Sequence, residues 1–109
     1  MSAASLDDLR SAFAELTALH GWAPLQTPRS LLLALTGRVG AVASLVQWQP
    51  ETGPDAVTPE LRDELADCLV YLVALSDALG VDLVDDAVTK LRGAVENSAA
   101  QPLLQEDRT

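Results

Sequence analysis

A single cysteine, Cys68, leaves no partner for an intrachain disulfide and excludes a cysteine-based zinc site. Its position in an apolar run predicts a buried thiol acting as a small hydrophobe. Basic residues are scarce, with 7 Lys and Arg against 16 Asp and Glu and a formal net charge of −9. No basic stripe is available to neutralise phosphates, so nucleic acid is not an expected partner. An anionic small molecule would need a metal or a local cationic pocket. With few aromatics, core packing must fall to Ala, Leu and Val. The lone histidine, His20, precedes Gly21 and reads as a helix-end residue, with no Ser-His-Asp or Cys-His spacing around it. Met1 to Asp8 lacks the basic and apolar regions of a secretory signal. Leu31 to Val46 is 16 residues long and holds Gly37, Arg38 and Gly40, too short and too polar for a membrane span. A cytoplasmic, membrane-free protein is expected.

What is present reads as helix. Nearly half of the chain is apolar, enough for one domain with a modest core. Ser5 can cap a first helix running to about His20, with Leu6, Leu9, Phe13, Leu16 and Leu19 on one stripe. Thr27-Pro28 opens a second helix reaching about Trp48, and Thr58-Pro59 a third reaching Leu79 before Gly80. A fourth spans about Asp82 to Asn97. Residues 1–97 form the expected domain, and 98–109 a frayed polar tail. Gly37 and Gly40 cost about 1 kcal/mol each inside a helix, so close approach by a neighbour or ligand is expected there. The third helix is apolar on almost all sides after Leu65 and belongs at the centre of a bundle. Four short helices cannot enclose it, so helices shared across a homodimer or homotetramer are expected.

Asp67 lies within that apolar helix, with Glu64 one turn before it on the same face. The second helix, over Leu31 to Trp48, carries a single charge, Arg38. None of these groups can be buried alone. The bundle should therefore bring Arg38 to Asp67, with Glu64 as a second acceptor.

The segments Pro28-Arg29-Ser30-Leu31, Val46-Gln47-Trp48, Asp63-Glu64-Leu65-Ala66-Asp67-Cys68-Leu69-Val70-Tyr71-Leu72 and Gly80-Val81-Asp82-Leu83 resemble the MazG-like nucleotide pyrophosphohydrolases, most nearly the dCTP pyrophosphatase branch. With Trp22 and the helix order, the resemblance covers about Leu6 to Lys90. It implies an all-α, four-helix, MazG-like bundle. It also implies hydrolysis of nucleoside triphosphates to monophosphate and pyrophosphate. In that family a Glu-x-x-Glu pair on the second helix and a Glu-x-x-Asp pair on the third hold magnesium, which bridges the phosphates. Here Glu64 and Asp67 match the second pair and stand as residual metal ligands. The glutamates of the second helix fall at Arg38, Ala41 and Ser44, none of them acidic. The family histidine before Thr-Pro-Arg is Gln26, and its asparagine is Ser30. Lys90 is retained without the basic, tyrosine-bearing segment that follows it in the family.

The resemblance thus makes Gln26, Arg29, Ser30, Arg38, Ala41, Ser44, Trp48 and Lys90 the candidate ligand-pocket residues, with no catalytic residue assigned. Three readings follow. The chain is a degenerate member that binds a nucleotide or similar small molecule with weak or no Mg²⁺-dependent hydrolysis. Alternatively, it is an active pyrophosphohydrolase with a rearranged Mg²⁺ site. The third is a scaffold turned to metal-free small-molecule chemistry or to a structural oligomer, with no cofactor.

Overall fold

The computed structural model describes residues 3–49 and 56–100, and among these every regular element is helical. Helix α1 spans Leu6–His20, α2 Pro28–Val46, α3 Pro59–Leu79 and α4 Leu83–Ala100. A short 3₁₀ turn, Ala23–Leu25, joins α1 to α2. The part of the α2–α3 connection at 50–55 and the tail at 101–109 lie outside the described residues.

Each helix start has a local cause. Ser5 and Asp8 form a reciprocal capping box: the Ser5 hydroxyl accepts from the Asp8 N–H, and the Asp8 carboxylate accepts from the Ser5 N–H. Thr27 and Thr58 cap α2 and α3 by accepting from Ser30 N–H and Leu61 N–H, each with proline at the first helical position. Asp82 accepts from the Asp85 N–H at the start of α4. Gly21 and Gly80, at φ 65° and 71°, close α1 and α3 in the left-handed region, where a Cβ would be strained.

Two boundaries differ from expectation. α2 stops at Val46, leaving Trp48 in a turn, and α4 continues to Ala100 because nothing in Ser98-Ala99-Ala100 breaks a helix. Because α2 begins at Pro28, it is 19 residues long and passes, by length and composition alone, as a possible membrane span. Its central charge is turned to α3, which is the arrangement of a bundle helix.

Packing is dominated by α2 against α3, with α1 laid on α3. Leu31, Leu61 and Val73 form the buried apolar core, and the buried Ser76 hydroxyl donates to the Val73 carbonyl at 2.8 Å. Arg10 of α1 clasps α3 by donating from Nε to Asp77 at 2.9 Å, and reaches back to Asp7. Asp77 is the main cause that raises the Arg10 guanidinium above its ordinary range. Cys68 is half-buried rather than buried.

The centre of the bundle is open. Leu65, Leu69 and Leu72 of α3 and Leu32, Leu33 and Val39 of α2 are exposed. α4 buries nothing and leaves a seam of Val84, Val88, Leu91 and Val95 uncovered. The close approach expected at Gly37 and Gly40 is not met among the described residues: a Cβ at either position would have none of them within 4 Å.

Candidate functional site

Arg38, Glu64 and Asp67 come together on the α2–α3 face. The Arg38 Nη1 donates to Glu64 at 3.4 Å and stands 4.0 Å from Asp67. The first is a long hydrogen bond, and the second is an ion pair without one. Glu64, by hydrogen bond and charge, is the main cause that raises the Arg38 guanidinium above its usual range; Asp67 adds to it. The expected deep burial is not found. The Arg38, Glu64 and Asp67 side chains are 44%, 22% and 40% exposed, because no second layer of helices covers them. Water can therefore solvate all three, and salt should screen them. Arg38→Ala is accordingly expected to unfold slightly more easily at low ionic strength. The defect should shrink toward 1 M salt and in the Arg38→Ala, Glu64→Gln double variant. Thermal melts at two salt concentrations check this, and a salt-independent loss would mean that packing rather than charge is at stake.

One turn away on both helices lies a pocket of about 260 Å³. Phe13, Trp22, Leu25, Leu31, Ala34 and Tyr71 form its apolar and aromatic walls, with Gln26 and Ser30 as its polar groups. Ala34 and Arg38, like Tyr71 and Asp67, are four residues apart on one helix face, so pocket and charge cluster are contiguous. Trp22 is held by stacking on His20, with ring centroids 4.4 Å apart and planes 14° from parallel. Gln26 is anchored by donating its amide to the Thr17 hydroxyl at 3.1 Å, and the Ser30 hydroxyl accepts from Thr27 at 3.0 Å. A larger cavity, about 560 Å³, lies between α1 and α3. Its walls are mostly apolar, its Thr17 and Gln26 are bonded to each other, and its one cation, Arg10, is already engaged by Asp77, so it offers less to a polar ligand.

Of the candidate residues, Gln26 and Ser30 share the small pocket, and Arg38 joins the two residual ligands. Ala41 and Ser44 continue the same face of α2 beyond Arg38. Arg29 is exposed in the first turn of α2 and lines no described pocket, and Lys90 is exposed on α4. Trp48 is 85% exposed, so it packs on no neighbouring helix among the described residues. Phe13, on the apolar stripe of α1, and Tyr71, four residues after Asp67, are pocket walls outside the candidate set.

The donor set does not fit the magnesium site that the resemblance implies. Two carboxylates face a guanidinium, Ala41 and Ser44 supply no charge, and no group of three or more metal-ligating His, Cys, Asp or Glu side chains gathers among the described residues.

Comparison with known proteins defines the class. The fold is that of a solved pyrophosphatase from Archaeoglobus fulgidus DSM 4304: TM-score 0.71, 21% identity, with 94% of this chain and 96% of that one covered. In sequence, the chain is 44% identical over 93 residues to dCTP pyrophosphatase 1 of Bos taurus, 43% to that of Mus musculus and 42% to that of Homo sapiens. No family model matches the chain. The helical fold and this kinship place the chain in the MazG-like nucleotide pyrophosphohydrolase superfamily. The alignments take in 80% of the chain but 55% of each relative, so it spans about half the length of the curated proteins it matches.

Proposed function

We propose that this chain binds a nucleotide or similar small molecule on the α2–α3 face and has weak or no magnesium-dependent pyrophosphohydrolase activity. The observation that carries the reading is Arg38, a fixed cation set against Glu64 and Asp67 where active relatives are expected to hold a metal. The neighbouring aromatic pocket supplies the binding half. Incubation with dCTP and Mg²⁺ should release pyrophosphate far more slowly than about 1 s⁻¹, or not at all above a protein-free blank. Steady release near the 1–10³ s⁻¹ typical of enzymes would instead establish a rearranged but active site. The survival of Glu64 and Asp67 at 44% identity to a dCTP pyrophosphatase favours that second reading.

The protein is further proposed to act as a cytoplasmic homo-oligomer, with a second copy seated on α2 and α3. Contiguous exposed apolar surface of this kind marks an association face. Sedimentation at micromolar concentration should show a dimer or tetramer, and a stable folded monomer there would defeat the proposal. Gly37→Ala and Gly40→Ala give the same face a second test. In an open monomer each should gain up to about 1 kcal/mol of helix stability. Against a close partner each should weaken association, which is the expected result.

A further inference from the structure

We infer that α4 is a second association surface, which pairs antiparallel with α4 of another copy of this chain through Val84, Val88, Leu91 and Val95. The surface is separate from α2–α3, but the strength of the pairing rests on the contact proposed there.

The four exposed residues recur at intervals of four, three and four residues. That is the narrow seam of a two-helix contact, not the wider stripe of a helix laid on a globular core. Asp86, Lys90 and Asn97 lie on the back of the helix. Val84 and Val88 border a shallow cleft with Leu6 and Arg10 of α1, whereas Leu91 and Val95 stand beyond it. The seam therefore starts beside the bundle and extends past it, and nothing among the described residues buries it.

Charge sets the direction. Ala87 and Ala94 flank the seam on one side, Asp85 and Arg92 on the other. In a parallel pair, each flank meets the opposite flank of the second helix, so the charges face alanines. In an antiparallel pair, each flank meets its own counterpart. Stacking Val84 on the partner's Val95, and Val88 on the partner's Leu91, sets Asp85 beside the partner's Arg92. One two-fold axis repeats this ion pair at the other end and brings the small Ala87 beside the partner's Ala94, which permits close approach. Among the described residues, neither Asp85 nor Arg92 is held in an ion pair within the chain. The chain's charge of −9 does not oppose the pairing, because Asp85, Asp86 and Glu96 of α4 are nearly balanced by Lys90 and Arg92. The seam runs only about 17 Å, which is weak for two helices alone. Dimers built on α2–α3 present two such helices each, so the α4 contacts form in pairs and reinforce each other. Four copies then close into one assembly.

Sedimentation of the full chain at micromolar concentration is expected to show a tetramer, and Leu91→Glu a dimer of half that mass with unchanged helix content. Asp85→Arg and Arg92→Asp should each weaken tetramer formation about tenfold, and together they should restore it. In Cys68→Ser protein, Val84→Cys combined with Val95→Cys should give a disulfide-linked dimer on oxidation, and Val84→Cys alone should give none. A link through Val84→Cys alone means parallel helices and overturns the inference. Native mass in Leu91→Glu also overturns it and leaves the α2–α3 contact untouched. Dissociation of Leu91→Glu without the charge rescue or the link means that another part of a copy covers α4, which overturns it as well. A native dimer that Leu91→Glu splits into monomers, with the link present, upholds the α4 pair and defeats the α2–α3 contact. A native monomer defeats both.

Discussion

The Arg38→Glu, Ala41→Glu, Ser44→Glu variant is expected to bind Mn²⁺ or Mg²⁺ with micromolar affinity, where the native chain gives no measurable heat. All three positions lie along one face of α2, and Arg38 shows that this face reaches Glu64 and Asp67: a side chain at 38 stands 3.4 Å and 4.0 Å from the two carboxylates. The substitutions remove the one cation and add three carboxylates. Hard divalent ions are held by such oxygen clusters, and selectivity follows ligand number and spacing. A micromolar dissociation constant corresponds to about 8 kcal/mol of binding free energy.

Thermal melts give the same variant a second readout. Without metal, five carboxylates crowd one face and should lower the melting temperature through mutual repulsion. At about 1 mM Mn²⁺, a thousandfold excess over a micromolar constant, binding should return about 4 kcal/mol. The native protein should show neither the depression nor the rescue. If the variant is destabilised and metal fails to restore it, the α2 face does not present its side chains as the Arg38 contacts indicate. If native protein binds Mn²⁺ at micromolar concentration, the misfit of Glu64, Asp67 and Arg38 to a metal has been misjudged.

The pairing that organises this site was legible because it followed from charge alone. Arg38 and Asp67 are isolated in apolar helices, and helices packed side by side must bring such groups together or expose them. The helix starts were legible for a similar reason, since Ser5, Thr27 and Thr58 are local signals whose effect needs no tertiary contact. Burial was not legible. An all-round apolar helix states that something covers it, but not whether the cover lies in the same chain. That is why Asp67 and Cys68 are only partly buried here. The aromatic pocket was also hidden. Phe13, Trp22 and Tyr71 come from α1, the following turn and α3, and only the docking of α1 across α3 brings them to one place.

Leu31→Ala is expected to be among the most damaging single substitutions in the chain, lowering the melting temperature by at least about 10 °C. Leu31 is 4% exposed and is one of three buried apolar core residues among those described. Truncating a buried leucine costs about 2–5 kcal/mol, from lost transfer energy and from the cavity left behind. A small domain of this size loses about 4–8 °C for each kcal/mol. The site is unforgiving for a second reason. Leu31 lines both the aromatic pocket and the larger α1–α3 cavity, so its side chain stands between two existing voids. The surroundings cannot close over the gap without α1 shifting, which puts the cost toward the upper end of the range. Leu31→Met, which nearly preserves volume, should cost less than about 1.5 kcal/mol. The pair of variants separates packing from chemistry, since neither substitution alters charge. Nucleotide affinity should fall in Leu31→Ala through loss of the pocket wall and persist in Leu31→Met. Equal melting temperatures for Leu31→Ala and the native chain would mean that α1 does not rest on this residue, and the pocket it helps to wall would have to be redrawn.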